Sequence, residues 1–337
     1  GILDAYDRAY VWNPIQENSH NIQLNAYNFL NQFEKEKVSS TQIGSNSFLT
    51  YKTNDENLVN YDELKFSYRE DDLTQSISIL KNRENYYLDN KNQISLPKFT
   101  YIYSNFDNIN QFSSEIQLTD EIKILSNIAS GKTDENNKIR ELSLSTQYSS
   151  SSFTSNVSIG NIIEKDKFLG ASFAGAYDLS DQTISSYLSF NSENSITQNM
   201  IFNTVYIRMI SKNSFTNSSF ANISDVKSDT MQLGFSFKNI FEKSDKINLN
   251  YKKPLAVING SLDQSTIKGY NSNGDYNSVN ERYSLVNNAR QETISIGYNS
   301  NLEEHFNFFS TLHSTENWDN KKDNDNYGIL AGFKVNF

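Results

Sequence analysis

The last eleven residues, 327–337, alternate between apolar side chains and small or polar ones, with Leu330 as the exception. Successive side chains of a β-strand point to opposite faces, so this pattern predicts a strand with one apolar face. That face carries Tyr327, Ile329, Ala331, Phe333, Val335 and Phe337. An apolar face about ten residues long is what a membrane-spanning β-strand needs.

The same alternation recurs along most of the chain and is most regular over 121–337. Leu142 and Leu144, for example, alternate with Ser143 and Ser145. The pattern predicts an all-β fold, a transmembrane antiparallel up-and-down β-barrel over 38–337. Counting from Glu121 gives about twelve strands, or fourteen to sixteen if earlier strand pairs join the wall. The strand signals at 45–106 fit either the barrel or a separate cap.

Composition excludes several other classes. The 22 Phe and 20 Tyr argue against disorder despite the low mean hydropathy of −0.63, because disordered chains are poor in aromatic residues. A net charge of −10 without basic clusters argues against nucleic-acid binding. No apolar run is long enough for a transmembrane helix. No signal peptide is visible, so we expect the sequence to be a fragment of a longer chain.

Connection lengths give the predicted barrel an orientation, because outer-membrane barrels have short periplasmic turns and longer external loops. We place 314–326, 224–227 and 259–289 outside the cell. The short stretches 149–152, 178–182, 211–214 and 299–303 become periplasmic turns. This scheme needs additional wall strands at 169–177 and between 214 and 224.

No candidate active site is found. The three histidines are His20, His305 and His313, and the last two would lie about 27 Å apart on one strand, too far to share a metal. No nucleophile motif occurs. We therefore expect no catalytic activity, cofactor or metal for this chain.

Charged residues at lumen-facing positions are the candidate functional side chains. Alternation assigns Arg140, Lys238, Lys252 and Lys334 to the lumen, with Glu141 and Glu292 near strand ends. They can pair across the lumen or contact a threaded segment, and ordinary solvation in a wet channel is the simpler interpretation.

Three stretches resemble the C-terminal regions of subtilisin-like autotransporters. The first is a junction motif and the second a strand motif, and the third is the aromatic chain end, which is similar to a barrel-assembly signal. Their residues are Asp4, Tyr6, Arg8 and Tyr10; Pro254, Leu255, Val257 and Gly260; and Tyr327, Phe333, Val335 and Phe337. The resemblance implies that 1–37 is a linker from an external protease passenger and lies in or near the lumen.

The resemblance also implies partners and a location. They are outer-membrane lipid, the barrel-assembly machinery and the chain's own passenger, with a monomeric barrel in the bacterial outer membrane. The preferred function is the translocator and anchor of an autotransporter. The alternatives are a free-standing porin-type channel and a soluble β-sandwich or adhesin. Burial of Phe235, Phe308 and Phe333 together in a dry interior would contradict the membrane prediction.

Overall fold

The structure is a computed structural model, and all structural statements below concern the residues that it describes. These are residues 2–3, 9–10, 37–53, 63–80, 108–132, 138–165, 182–214, 221–243, 245–270, 272–273, 275–303 and 306–335. Within them, no helix is long and apolar enough to cross a bilayer.

Twenty strands and one short 3-10 helix (Trp318–Asn320) make up the regular structure of these residues. The strands of the first half are β1 (Ile2–Leu3), β2 (Ala9–Tyr10), β3 (Lys37–Gln42), β4 (Ser47–Thr53), β5 (Glu63–Glu70), β6 (Leu73–Leu80), β7 (Asn108–Gln117), β8 (Ile122–Lys132), β9 (Lys138–Ser149) and β10 (Phe153–Lys165). Those of the second half are β11 (Gln182–Thr197), β12 (Met200–Ser214), β13 (Ala221–Ile223), β14 (Val226–Lys238), β15 (Lys246–Asn259), β16 (Ser261–Tyr270), β17 (Tyr276–Ser284), β18 (Glu292–Glu303), β19 (Phe306–Glu316) and β20 (Asn326–Val335).

Fifteen of the strands form one antiparallel sheet, which we call the wall. Its order is β3 through β12, then β14, β15, β18, β19 and β20, so every neighbour in the sheet is the next wall strand along the chain. This is an up-and-down topology. Strands β13, β16 and β17 form a separate sheet of three strands, and β1 pairs only with β2. Strands β3 and β20 are outermost, and within the described residues no pairing joins them.

The wall connections alternate between two kinds of edge. At one edge, the short-turn end, they are 43–46, 71–72, 118–121, 150–152, 198–199, 239–245 and 304–305. At the other, the long-loop end, they are 54–62, 81–107, 133–137, 166–181, 215–225, 260–291 and 317–325. The last strand, β20, runs toward the short-turn end, since Val335 lies opposite Phe306. This asymmetry is the one that the sequence predicts for an outer-membrane barrel.

Two predicted wall strands are wrong in position. Strands β10 and β11 pair directly from Phe153↔Asn194 to Lys165↔Gln182, so no wall strand lies between them. The strand expected at 169–177 lies outside the described residues, in a connection at the long-loop end. Likewise β12 continues to Ser214 and pairs with β14, which removes the turn expected at 211–214.

These two errors cancel. Each inserts one extra strand, so the predicted direction of β11 and β12 is reversed while that of all later strands is correct. The physical reason is that both connections carry β-like sequence without belonging to the wall. One of them contains β13, which pairs with β16 instead.

The strand pairing also changes the predicted strand count and the predicted bounds of two connections. From Ile122 onward the wall has ten strands (β8–β12, β14, β15 and β18–β20), so the count of twelve is not found in the described residues. Strands β4, β5 and β6 continue the same sheet. The turn expected at 299–303 lies at 304–305, because Asn299 and Ser300 still pair with Phe309 and Phe308. The loop expected at 259–289 contains the β16–β17 hairpin.

Candidate functional site: the two faces of the wall

The wall has one apolar face and one polar face, and their burial is opposite to that of a water-soluble sheet. On β9, Leu142 and Leu144 are exposed while Ser143 and Ser145 are buried. The same exposure pattern is found on most wall strands, although the buried face also carries Ile139, Ile162, Ile207 and Met209. Exposed members of the apolar face include Phe66, Ile77, Phe112, Ile128, Val157, Ile159, Ile184, Leu188, Leu249, Ile294, Ile296, Leu312, Ile329 and Phe333. A continuous exposed patch of this size marks contact with a membrane or a partner.

The positions of three phenylalanines agree with the membrane prediction, which their joint burial in a dry interior would have contradicted. Phe333 is exposed, and Phe235 and Phe308 are half-buried, so none of the three lies in a dry interior. Aromatic contacts on the apolar face cluster near the short-turn end. Phe202 and Phe235 have ring centroids 4.8 Å apart, and Tyr298 lies 6.1 Å from Phe241. Aromatic girdles at the membrane interface are typical of outer-membrane barrels.

The polar face is held together by hydroxyl pairs between strands. Ser145 Oγ donates to Ser158 Oγ at 2.7 Å, and Ser158 Oγ donates to Asn156 Oδ1 at 2.6 Å. Hydroxyl oxygens also approach to 2.7 Å in the pairs Ser76–Ser113 and Ser185–Ser211, and to 3.0 Å in Thr293–Thr315. Each pair joins residues directly opposite each other on neighbouring strands, where such contacts stabilise a sheet.

Glycines on the polar face let large side chains lie flat against the wall. A Cβ atom added at Gly160 would lie 2.6 Å from the Tyr187 ring, and one at Gly332 would lie 2.5 Å from Phe309. His313 covers Gly328 in the same way. In each case the covering residue is the direct partner of the glycine on the next strand. The sequence analysis missed these cross-strand pairs, which only the register reveals.

Three of the four predicted lumen charges lie on the polar face. Lys238 and Lys252 share it with Gln232, and Lys334 lies opposite Asn307. Arg140 is a correction: it lies on the apolar face with Leu142 and Leu144, because residues two apart on a strand share a face.

Glu141 and Glu292, the two acidic residues near strand ends, lie on opposite faces of the wall. Glu141 lies on the polar face, where it is buried and accepts a hydrogen bond of 2.6 Å from the Tyr187 hydroxyl. Glu292 lies on the apolar face at the long-loop end, where it binds Lys253 Nζ at 2.6 Å and Tyr251 Oη at 2.6 Å.

The motifs that resemble those of subtilisin-like autotransporters lie only partly within the described residues. Asp4, Tyr6, Arg8 and Phe337 lie outside the described residues. Tyr10 is in β2, opposite Ile2, and Val335 ends β20. The exposed rings of Tyr327 and Phe333 share the apolar face of β20.

The strand motif marks the point where the chain leaves the wall. Pro254, Leu255 and Val257 are in β15, and Leu255 and Val257 are buried. Gly260 follows with a φ of +152°, and a Cβ atom there would lie 3.0 Å from Val226 Cγ2. Its carbonyl accepts a hydrogen bond from the Leu285 amide. Glycine is therefore required where the chain passes from the wall to the three-stranded sheet.

No catalytic or metal site stands out on either face. His20 and His305 lie outside the described residues, and His313 lies over Gly328 on the polar face. Among the residues that the structure describes, no three His, Asp or Glu side chains come together in a way that could hold a metal ion.

Comparison with known proteins places the fold among outer-membrane β-barrels. A loop-deletion form of OmpT, an outer membrane protein of Vibrio cholerae, matches with a TM-score of 0.52 and 11% identity, over 88% of this chain and 88% of that chain. The anion-selective porin from Comamonas acidovorans matches with a TM-score of 0.52 and 10% identity, over 88% of this chain and 87% of that chain. No protein-family model matches the sequence, and no curated protein matches it.

These likenesses concern the fold. The wall is an all-β, antiparallel, up-and-down sheet that resembles outer-membrane barrels, and its similarity to such proteins supports the predicted outer-membrane location. The match to the Comamonas acidovorans porin covers 88% of this chain.

Proposed function

We propose that this chain is a porin-type channel of the bacterial outer membrane, whose apolar face contacts lipid and whose polar face lines a pore. The inverted burial of the wall carries this proposal: exposed leucine and isoleucine alternate with buried serine and asparagine along β9, β10 and β11. In the absence of water, backbone groups must be satisfied inside the sheet, and every wall strand between β3 and β20 is paired on both sides.

Strand number favours the porin over the autotransporter translocator. Strands β3–β7 join the same sheet as the ten later wall strands, which makes the wall wider than the twelve strands that the autotransporter resemblance implies. The motif at Pro254–Gly260 also has a local structural reason, the exit of the chain toward β16. The translocator remains the second candidate because of the three motifs quoted above.

Conductance across a planar lipid bilayer tests the proposal. The full chain is expected to form a steady open pore. Lys252→Glu should shift the ion selectivity toward cations, because Lys252 lies on the pore-lining face. The matched control is Arg140→Glu, which makes the same charge change on the lipid-facing side and should leave selectivity unchanged.

The same assay separates the second candidate. A translocator barrel holding 1–37 in its lumen would be closed in the full chain and would open when those residues are removed. Absence of any pore in both forms would contradict the channel proposal, and equal selectivity shifts in the two variants would contradict the assignment of the faces.

A further inference from the structure

Four cations lie together on the apolar face at the long-loop end of β8, β9 and β10. We call Lys132, Lys138, Arg140 and Lys165 the basic cluster. Lys132 is directly opposite Lys138. Lys165 follows Glu164, the partner of Ile139, so it lies beside Lys138 on the same face. Arg140 is two residues further along β9, and the side chains of all four are exposed.

The Lys132–Lys138 pair is unfavourable without a counter-ion. Side chains directly opposite on an antiparallel pair have Cβ atoms about 4.5–5.5 Å apart, and like charges there destabilise the sheet. The acidic residues of the same strands do not relieve it. Glu141 and Glu164 are both buried on the polar face.

Two other cations on this face at the long-loop end, Lys212 and Lys253, each have a carboxylate partner. Lys212 lies 3.3 Å from Asp225, and Lys253 lies 2.6 Å from Glu292. In contrast, Lys132, Lys138 and Arg140 form no ion pair within the described part of the chain. The cluster therefore differs from its surroundings in the density of its positive charge.

The position of the cluster indicates what binds it. Directly below it the same face carries Ile128, Leu142 and Leu144, all exposed and aliphatic. The cluster thus lies at the border between the lipid-contacting band and the long loops. If the long loops are external, as in other outer-membrane barrels, this border is at the head groups of the outer leaflet.

We propose that the basic cluster binds the phosphate groups of a phosphorylated glycolipid in that leaflet. This inference rests on the proposed placement of the wall in the outer membrane. Lysine binds phosphate as a point charge, and arginine can add two parallel hydrogen bonds. A phosphate group between Lys132 and Lys138 replaces their mutual repulsion with attraction to a shared anion.

The test uses the full chain reconstituted with a phosphorylated glycolipid (lipid A) or with the same lipid after phosphatase treatment. The cluster variant is Lys132→Gln/Lys138→Gln/Arg140→Gln. The matched control, Lys243→Gln/Lys321→Gln/Lys322→Gln, removes the same charge from wall connections. We expect the cluster variant to bind phosphorylated glycolipid about a hundredfold more weakly than the wild type, and the control to be unchanged.

Several results would overturn the inference. One is equal affinity of the cluster variant and the wild type, as expected if Asp134 and Glu135 in the 133–137 connection already neutralise the cluster. A second is equal binding of the dephosphorylated glycolipid. A third is that inorganic phosphate competes at the concentration at which the glycolipid itself binds, which would indicate a site for free phosphate.

Insertion into vesicles without glycolipid separates this inference from the proposed function. If the wall strands are protected from protease in such vesicles but the cluster variant binds glycolipid normally, only the basic cluster proposal fails. If the wild type is not protected, the membrane proposal itself fails.

Discussion

The β9–β10 hairpin of the wall and the β16–β17 hairpin outside it have the same topology but opposite surfaces. In β9–β10, aliphatic residues are exposed and serines are buried. In β16–β17 the exposed contacts are ion pairs, with Arg282 Nε 2.6 Å from Asp263 and Lys268 Nζ 3.3 Å from Glu281. One hairpin is suited to lipid and the other to water.

This comparison shows that exposure alone does not define an environment. Ile159 in β10 is 54% exposed and Val279 in β17 is 44% exposed, so accessible area barely distinguishes them. The side chains around each residue do distinguish the two environments. Ile159 lies on the strand of Val157, opposite Leu144, whereas Val279 lies on the hairpin that carries both ion pairs. The hairpins should therefore respond differently to the same substitutions.

The largest difference is expected for a charge on the exposed face. Ile159→Lys should lower the free energy of unfolding from lipid vesicles by about 2–4 kcal/mol, because a charge near the middle of a lipid-facing strand must leave water. Val279→Lys, the matched substitution in β17, should change it by less than about 0.5 kcal/mol. Urea unfolding in vesicles measures both. Equal effects would contradict the distinction between the hairpins.

Close packing on the polar face gives the next largest effect. In Gly160→Ala, the added methyl would lie 2.6 Å from the Tyr187 hydroxyl and 2.7 Å from the Leu142 carbonyl oxygen, which is backbone and cannot move aside. We expect a loss of about 2–3 kcal/mol from overpacking. The hydrogen bond of 2.6 Å from Tyr187 to Glu141 should also be disturbed.

Gly297→Ala is the control for that substitution. Gly297 also lies on the polar face of the wall, but an added methyl there would lie 3.5 Å from Thr311 Oγ1, an ordinary contact. It should unfold at the wild-type urea concentration. A comparable loss in both variants would mean that glycine is needed for backbone reasons rather than to accommodate a covering side chain.

Much of the wall could be predicted from the sequence, because alternation with a period of two is local. Residues such as Leu142 and Ser143 carry their face assignment within a few positions of the chain. The assignment of Arg140 to the lumen was wrong although its own neighbours contradict it. Arg140 is two positions from Leu142 and so shares its apolar face, and at a strand end such a side chain can reach the head groups.

Pairing partners could not be predicted in the same way. Residues 261–284 alternate weakly and contain glycine and asparagine, so they were assigned to a loop, yet β16 and β17 pair over most of that range. Conversely, 169–177 alternates well but lies between two strands that pair directly with each other. Which strand becomes a neighbour depends on long-range register, and a single sequence does not encode it locally.

A smaller difference is expected for hydroxyl groups. Ser158 is fully buried, accepts from Ser145 and donates to Asn156. Ser158→Ala should cost about 1–2 kcal/mol, because it leaves buried polar partners unsatisfied. Ser265→Ala is the matched change in β16, where the hydroxyl bonds to Asn280 at an exposed site. Thermal unfolding should show a shift only for the wall variant, and a shift for Ser265→Ala of the same size would contradict this.

The smallest effect is a dependence on pH in β16–β17. The Arg282 guanidinium holds the pKa of Asp263 below its ordinary value of 3.8, and bonds from Tyr283 and Lys268 hold the pKa of Glu281 below 4.5. Carboxylates with a lowered pKa stabilise the fold above the unfolded-state pKa, and this contribution is lost as the pH falls through the folded-state pKa. Amide exchange over 261–284 should therefore accelerate below about pH 4, after correction for the intrinsic rate. Exchange over β8 and β12 should not, because neither strand carries a carboxylate. Asp263→Asn should reduce the acid response of the hairpin, and an unchanged response would assign it to other groups.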